Sequence, residues 1–182
     1  SFSSCVQMSS SPTSSNSDKT FTVTSEDNLS SSTVYRIRIT TSTKDSSGNS
    51  LTSQWTTSSG FQTGTEDTTP PTVFSISPTD NQGGVSISDN ISVTFSEAMD
   101  TTSVTTNTSN TTCSGSLQLS SDNFSGCVQM SSSPSSSNSD KTFTVDPSDN
   151  LSYNSTYKIR LTTGVKDTVG NTLSSQYQQG NG

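Results

Sequence analysis

The 182-residue chain contains no histidine, and this absence excludes whole classes of function. A serine nucleophile usually takes its general base from histidine, so no His-dependent catalytic triad is possible. A histidine metal site is excluded for the same reason. Lysine is the nearest substitute base, but no Ser-x-x-Lys pattern with supporting glycines is formed by Lys19, Lys44, Lys141 or Lys166. The sequence therefore predicts a protein that is not an enzyme.

Basic residues are also scarce. Eight lysines and arginines stand against fifteen acidic residues, which gives a net charge of -7. This balance disfavours binding to nucleic acid and to anionic membranes. No apolar run approaches the roughly 18 residues that a membrane-spanning helix needs. We therefore expect neither nucleic acid nor membrane insertion among the interactions of this chain.

Large apolar residues are few as well, since Leu, Ile, Val and Phe together supply only 31 positions. Serine and threonine supply 77, and their hydroxyls take over the solubilising role that charges have in most proteins. Low apolar content approaches that of disordered chains, but disorder of that kind also needs a high net charge. Threonine favours strands through its branched Cβ, and a single alanine, Ala98, leaves little material for helices. The composition predicts an all-β fold.

An internal repeat with an offset of 122 residues is the strongest signal in the sequence. Residues 2–60 align with residues 124–182 without a gap, and 37 positions are identical. These include Cys, Met, Pro, Phe and Asp residues, which a shared richness in serine cannot place in register. We expect residues 72–182 to form a complete unit, 64–71 a proline-rich linker, and 1–63 the C-terminal half of another copy.

The three cysteines follow the repeat. Cys113 and Cys127 lie in one unit at a spacing that suits a disulfide across a hairpin, and Cys5 is the counterpart of Cys127. The counterpart of Cys113 would lie before Ser1, so we expect Cys5 to have lost its partner at this boundary. A disulfide indicates an oxidising compartment. The alternative is three free thiols in a reducing cell.

Short alternating apolar segments, separated by turn residues, mark the strands of the complete unit. In each segment the apolar side chains point to one face and the hydroxyl or charged side chains to the other. About seven such strands indicate an antiparallel sandwich. We expect the serine-rich tract 131–138 to be a loop. The alternating segments and the predicted first and last strands are 72–78, 85–87, 91–95, 117–119, 143–145, 157–161 and 173–177.

The segment 151–157 resembles a tyrosine corner, in which a tyrosine hydroxyl bonds to backbone a few residues upstream. Tyr157 would make that bond and fix the entry to the next strand. Leu29 and Tyr35 repeat the same spacing in the first part of the chain. The alternative is that leucine and tyrosine are two ordinary core residues.

Several motifs stand in an order that resembles a known family. They are Pro-Pro-Thr-Val-Phe-Ser-Ile-Ser-Pro at 70–78, Gly-Val-Ser-Ile at 84–87, Ile-Ser-Val-Thr-Phe-Ser-Glu-Ala-Met-Asp at 91–100, Thr-Tyr at 156–157 and Val-Lys-Asp-Thr-Val-Gly-Asn-Thr-Leu at 165–173. Together they resemble the bacterial Ig-like domain of S-layer proteins and surface adhesins. The resemblance covers all of 70–182, and its second half covers 1–63.

This resemblance implies immunoglobulin-like β-sandwich repeats in a protein of the cell exterior or cell surface. It implies a non-catalytic stalk, fibre or surface-layer element, whose partners are neighbouring identical repeats and other copies of the chain. The alternative is an adhesin module that binds glycan or protein on another surface. The half repeat has two interpretations: a window cut from a longer tandem array, or a fibre subunit that another chain completes by strand addition.

An Ig-like arrangement would also gather acidic side chains at one end of the sandwich. Its second and sixth strands run in the same direction, so Glu97 and Asp100 would lie at the same end as Asp167. The first strand begins at that end, which brings Asp67 there, and the Asn171 amide adds another oxygen. Clusters of oxygen ligands suit Ca²⁺, so these residues are candidate ligands of a calcium ion that would stiffen the joint with the preceding domain. The alternative is a set of solvated loop carboxylates.

Overall fold

The chain divides into two compact units, Ser1–Asp67 and Thr68–Gly182. The computed structural model describes residues 4–180 of the 182. Within this range there is no α-helix, and hence no helix that is long and apolar enough to cross a membrane.

Residues 4–67 of the first unit contain six short strands that join in three antiparallel pairs. The strands are β1 (Thr13–Ser15), β2 (Thr20–Thr22), β3 (Val34–Tyr35), β4 (Arg38–Ile39), β5 (Trp55–Thr56) and β6 (Phe61–Gln62). β1 pairs with β2, β3 with β6 and β4 with β5. Because no larger sheet joins these pairs within residues 4–67, their apolar side chains remain open to solvent.

The described part of the second unit, residues 68–180, contains seven strands in two sheets. The strands are β7 (Val73–Ser77), β8 (Ile91–Phe95), β9 (Leu117–Ser120), β10 (Ser135–Ser137), β11 (Thr142–Val145), β12 (Lys158–Leu161) and β13 (Tyr177–Gln178). One sheet has the order β10-β11-β8-β7 and the other β13-β12-β9, with every neighbouring pair antiparallel. This is the strand order of the seven-stranded immunoglobulin sandwich. The predicted all-β, Ig-like fold is confirmed.

The core of the second unit lies between its two sheets. Alternate residues of β8, β11 and β12 are buried, as the alternating sequence predicts. Phe95 and Phe143 meet edge to face, with ring centroids 5.9 Å apart. Burying such a side chain contributes about 1.5–3 kcal/mol, so a core of a few large residues can hold a chain this rich in serine and threonine.

All four residues of β9 are buried, which alternation does not predict. Gln118 lies on the outer face of its sheet, where its Nε2 donates to the Gly115 carbonyl at 2.8 Å and its Oε1 accepts from Arg160 Nε at 2.7 Å. The Arg160 guanidinium in turn stacks over the Phe124 ring, 3.9 Å from its centroid. The Phe124 ring, which a loop carries, thus covers the outer face of this sheet. The buried amide of Gln118 has hydrogen-bond partners for both its nitrogen and its oxygen.

Two local predictions are wrong. The expected strand at 85–87 is part of a loop, because a turn forms in which Asp89 donates its N–H to the Ser86 carbonyl at 3.1 Å. The expected loop at 131–138 contains β10, which pairs residue by residue with β11. Serine supplies the same backbone hydrogen-bonding groups as any other strand residue, so low complexity does not prevent this pairing.

The tyrosine corner is present in both units. The Tyr157 hydroxyl accepts a hydrogen bond from the Ser152 N–H at 3.0 Å, and the Tyr35 hydroxyl accepts one from the Ser30 N–H at 2.9 Å. Each bond spans five residues and fixes the approach to the strand that follows.

Cys113 and Cys127 are joined by a disulfide that closes a separation of 14 residues. The bond ties the loop before β9 to the segment after it, where Cys127 also donates its N–H to the Thr111 carbonyl at 2.8 Å. Cys5 is an exposed free thiol.

Candidate functional site

Three of the four carboxylates predicted to bind calcium, those of Glu97, Asp100 and Asp167, follow the last residues of β8 and β12. Met99 forms an antiparallel bridge with Asp167, and Asp100 donates its N–H to the Lys166 carbonyl at 2.9 Å. One carboxylate oxygen of Glu97 and one of Asp167 lie within 4.8 Å of each other. We call this end of the second unit, formed by residues 97–100 and 165–171, the acidic end.

Asp167 is buried at the acidic end and holds its own loop closed. Its Oδ1 accepts hydrogen bonds from the N–H groups of Val169, Gly170 and Asn171 at 2.9, 2.7 and 2.8 Å. Its Oδ2 accepts a fourth from Asn171 Nδ2 at 2.8 Å. Burial opposes ionisation and is the largest single influence on the pKa of Asp167, but these hydrogen bonds together outweigh it and lower the pKa.

The first unit repeats this loop with the same chemistry. Asp45 Oδ1 accepts from the N–H groups of Ser47 and Asn49 at 2.9 and 2.8 Å, and its Oδ2 accepts from Asn49 Nδ2 at 3.0 Å. Hydrogen bonds from Asn49 are the main reason that the pKa of Asp45 is lowered. The Lys-Asp-x-x-Gly-Asn pattern is therefore a loop-closing device in both copies, and its glycine takes a positive φ: +87° at Gly48 and +102° at Gly170.

The remaining predicted ligands have different positions. Asp100 Oδ1 accepts hydrogen bonds from the N–H and hydroxyl of Thr102 at 2.9 and 2.7 Å, and these bonds lower the pKa of Asp100. Glu97 is half-buried. Asp67 is the last residue of the first unit. The structure thus brings the carboxylates of Glu97 and Asp167 together at the acidic end, whereas the Asp100 carboxylate is not part of this group and bonds to Thr102.

Ser155 and Lys158 form a Ser-x-x-Lys pattern that the sequence analysis missed. The Lys158 ammonium donates to the Gly180 carbonyl at 3.1 Å, and the Ser155 hydroxyl donates to the Tyr153 carbonyl at 3.2 Å. Each group is thus hydrogen-bonded to a backbone carbonyl and not to the other.

The opposite end of the second unit carries an open cavity of about 430 Å³. It lies between the loop that follows β7 and the tyrosine-corner loop that precedes β12. Val85, Ile87 and Leu151 supply apolar lining, and Tyr153 and Gln179 supply polar groups. Tyr153 is exposed, so one face of its ring is open to a partner.

Comparison with known proteins identifies the family. The model of the bacterial Ig-like domain matches the chain twice, over residues 2–63 and 67–179. The chain belongs to the bacterial Ig-like domain family. It is accordingly an extracellular or cell-surface protein built from structural repeats.

Solved structures with a similar fold include the S-layer protein SbsC. One SbsC crystal structure is 23% identical over 62% of this chain and 14% of that chain, with a TM-score of 0.43. A crystal structure of the N-terminal part of SbsC is 22% identical over 60% of this chain and 23% of that one, with a TM-score of 0.44. The match therefore spans less than a quarter of each SbsC chain. No curated protein sequence is significantly similar to this chain.

Proposed function

We propose that this Ig-like chain is a non-catalytic repeat that adds length to an extracellular stalk, fibre or surface layer. The observation that supports this is the path of the backbone through the second unit. Val73, at the start of β7, pairs with Phe95 at the end of β8, and Tyr177, at the start of β13, pairs with Leu161 at the end of β12. The edge strands β7 and β13 thus both start at the acidic end.

The chain therefore enters the sandwich at the acidic end and leaves it at the opposite end. After β13, Gln179 donates its N–H to the carbonyl of Ile159, near the start of β12. Repeats with entry and exit at opposite ends add length when they are joined in tandem. Two prolines, Pro70 and Pro71, stiffen the segment before β7, because each fixes its own φ.

Appending residues 61–182 once or twice after residue 182 tests this proposal, since residue 61 is the next position of the 122-residue repeat. Small-angle scattering should show a maximum dimension that rises by an equal step with each added repeat. A matched series with Pro70→Gly and Pro71→Gly at every joint should show smaller steps. A maximum dimension that rises only as the cube root of mass would contradict the proposal.

A calcium ion at the acidic end is a separate part of the proposal. The support is the approach of Glu97, in the loop after β8, and Asp167, in the loop after β12, which each have a carboxylate oxygen within 4.8 Å of the other. Asp100 and Asn171, in the same two loops, are the further candidate ligands. Excess Ca²⁺ should raise the Tm of the chain, and Glu97→Gln should abolish the increase. An unchanged Tm with Ca²⁺ and with a chelator would remove the ion from the proposal.

An adhesin role is the second candidate, and the cavity opposite the acidic end favours it. Exposed Tyr153 beside apolar Ile87 and Leu151 offers the flat ring and the apolar wall that sugars and extended peptides use. Binding on a glycan array that Tyr153→Ala abolishes would support an adhesin. Tyr35, which lies in the first unit, provides a matched control, since Tyr35→Ala should leave the binding unchanged.

A further inference from the structure

The first unit exposes apolar side chains whose counterparts, 122 positions later, lie in the core of the second unit. We call these residues the uncovered set; all are large apolar residues, and all are at least 39% exposed. They are Met8, Phe21, Val23, Ile37, Ile39, Leu51 and Trp55. Native proteins rarely leave so many large apolar side chains open on one small unit, so the uncovered set marks an interaction surface.

The counterparts of the uncovered set, 122 positions later, are covered. Phe21 is 61% exposed and Phe143 is 1% exposed. Ile37 is 51% exposed and Ile159 is 2% exposed. The local backbone does not cause this difference, because β1 and β2 pair in the same register as β10 and β11, and β4 and β5 in the same register as β12 and β13.

The second unit shows which residues do the covering. Phe143 in β11 pairs with Val93 in β8. Ile159 in β12 pairs with Leu119 in β9. β7, β8 and β9 all lie in residues 68–122, and none of the strands within residues 4–67 is their equivalent. The uncovered set therefore lies in the same strand register as the residues that β8 and β9 cover in the second unit. It can pack against a segment of this type in the same way.

We infer that residues 4–63 bind a segment equivalent to residues 68–122. In the second unit this covering segment runs straight into Asn123, the counterpart of Ser1, so the covering strands and the strands that they cover are consecutive in the chain. Cys5 gives an independent reason. Its counterpart Cys127 is bonded to Cys113, which lies in the covering segment, and Cys5 itself is an exposed free thiol.

The test joins a second copy of residues 68–122 to the N-terminus of the whole chain. Trp55 is the only tryptophan and belongs to the uncovered set, so its emission reports the first unit alone. The emission maximum should shift to shorter wavelength in the extended chain. With oxidised glutathione as the oxidant, which takes up the two electrons and two protons of the Cys5 thiol and the added cysteine thiol, titration of thiols in denaturant should fall from one per chain to none.

Two controls keep the inference open to refutation. An extension of the same length, with the positions equivalent to Val93 and Phe95 changed to Ser, should leave Trp55 emission where it is in the original chain. Sedimentation of the original chain should show a monomer. The inference is overturned if the unaltered extension leaves both Trp55 emission and the Cys5 thiol unchanged. It is also overturned if the original chain dimerises and buries Trp55 by itself, which would make a second copy the partner. Neither outcome depends on the proposed stalk function.

Discussion

The first unit repeats the second half of the second unit, with 37 identical positions, yet the shared apolar residues form a core in the second unit and are exposed in the first. The β1–β2 hairpin turns through Asn16, Ser17 and Asp18 with φ of 54°, 53° and 61°, and the β10–β11 hairpin turns through Asn138, Ser139 and Asp140 with φ of 54°, 53° and 59°. Local sequence thus sets the same turn with or without a covering sheet. Burial, in contrast, depends on strands that are distant in sequence.

The comparison also separates two kinds of hydrogen bond. Loop-closing bonds that Asp45 and Asp167 accept, and corner bonds that Tyr35 and Tyr157 accept, recur in both units because donor and acceptor lie within five residues of each other. Among the described residues, β11 and β12 each pair with a further strand and their counterparts β2 and β4 do not, because those further strands come from residues 91–95 and 117–120. Replacing equivalent residues in the two units should therefore have unequal effects.

The largest difference is expected at the buried phenylalanine. Phe143→Ala should lower the free energy of unfolding of the second unit by about 3–5 kcal/mol, because it removes buried contacts and leaves a cavity. Phe21→Ala, at the equivalent exposed position, should change stability by about 0.5 kcal/mol or less. Urea unfolding followed by far-UV circular dichroism measures both. Equal effects of the two substitutions would mean that the first unit has a core of its own.

The disulfide provides the next comparison. Cys113→Ser with Cys127→Ser should destabilise the second unit by about 3 kcal/mol, since closing a loop of this size restricts the unfolded chain. Cys5→Ser should have no effect on unfolding, because Cys5 has no disulfide to lose. Urea midpoints of the double variant and the single variant, compared with the original chain, measure the two effects. A double variant as stable as the original chain would contradict this prediction.

A smaller effect is expected at the loop-closing aspartate. Asp167→Asn should cost about 1–3 kcal/mol at neutral pH, because its buried loop donors lose a charged acceptor. Asp45→Asn is the matched control, and its effect should be much smaller because water replaces the exposed acceptor. Chemical unfolding of each variant at neutral pH measures the difference.

The same aspartate predicts a pH dependence. The pKa of folded Asp167 is lowered from its ordinary value of 3.8, so the carboxylate contributes stability that is present above that value. This contribution is lost as the pH falls through the lowered pKa of the folded state. Stability measured from pH 6 down to pH 2 should therefore fall less steeply in Asp167→Asn than in the original chain. Parallel curves would show that Asp167 does not titrate with unfolding.

The smallest difference is expected at the tyrosine corner. Tyr157→Phe removes one hydrogen bond to the Ser152 N–H and should cost about 0.5–1.5 kcal/mol. Tyr35→Phe removes the equivalent bond to Ser30, in a unit without the covering strands, and should cost less. Thermal unfolding followed by circular dichroism measures the pair. A larger effect in the first unit would mean that the corner, rather than the covering sheet, holds that unit together.

Several features could be predicted from the sequence because they depend on short-range patterns. Alternation at 91–95, 143–145 and 157–161 gave three strands with the correct inward faces. Alternation at 85–87 failed because two apolar residues are too few to outweigh a turn at 86–89. The buried outer face of β9 could not be predicted either, because the covering Phe124 reaches it through a loop and a contact with Arg160.

The candidate site divides in the same way. Strand order in an Ig-like sandwich was enough to expect Glu97 near Asp167, as the structure places them. The sequence analysis did not anticipate that Asp167 and Asp100 already accept hydrogen bonds from their own loops. The Asp-x-x-Gly-Asn spacing was the available signal, since an aspartate followed by a glycine with positive φ is typical of a closed loop.

By itself, the sequence determined the repeat, the strands with clear alternation, the hairpin turns and the loop-closing aspartates, because each depends on neighbours along the chain. Tertiary structure alone decided which apolar residues became a core. Phe21 and Phe143 occupy the same local backbone, and only Phe143 has β8 beside it. The hydrophobic effect acts on the area that a partner removes from water, and that partner lies outside the segment that contains the residue.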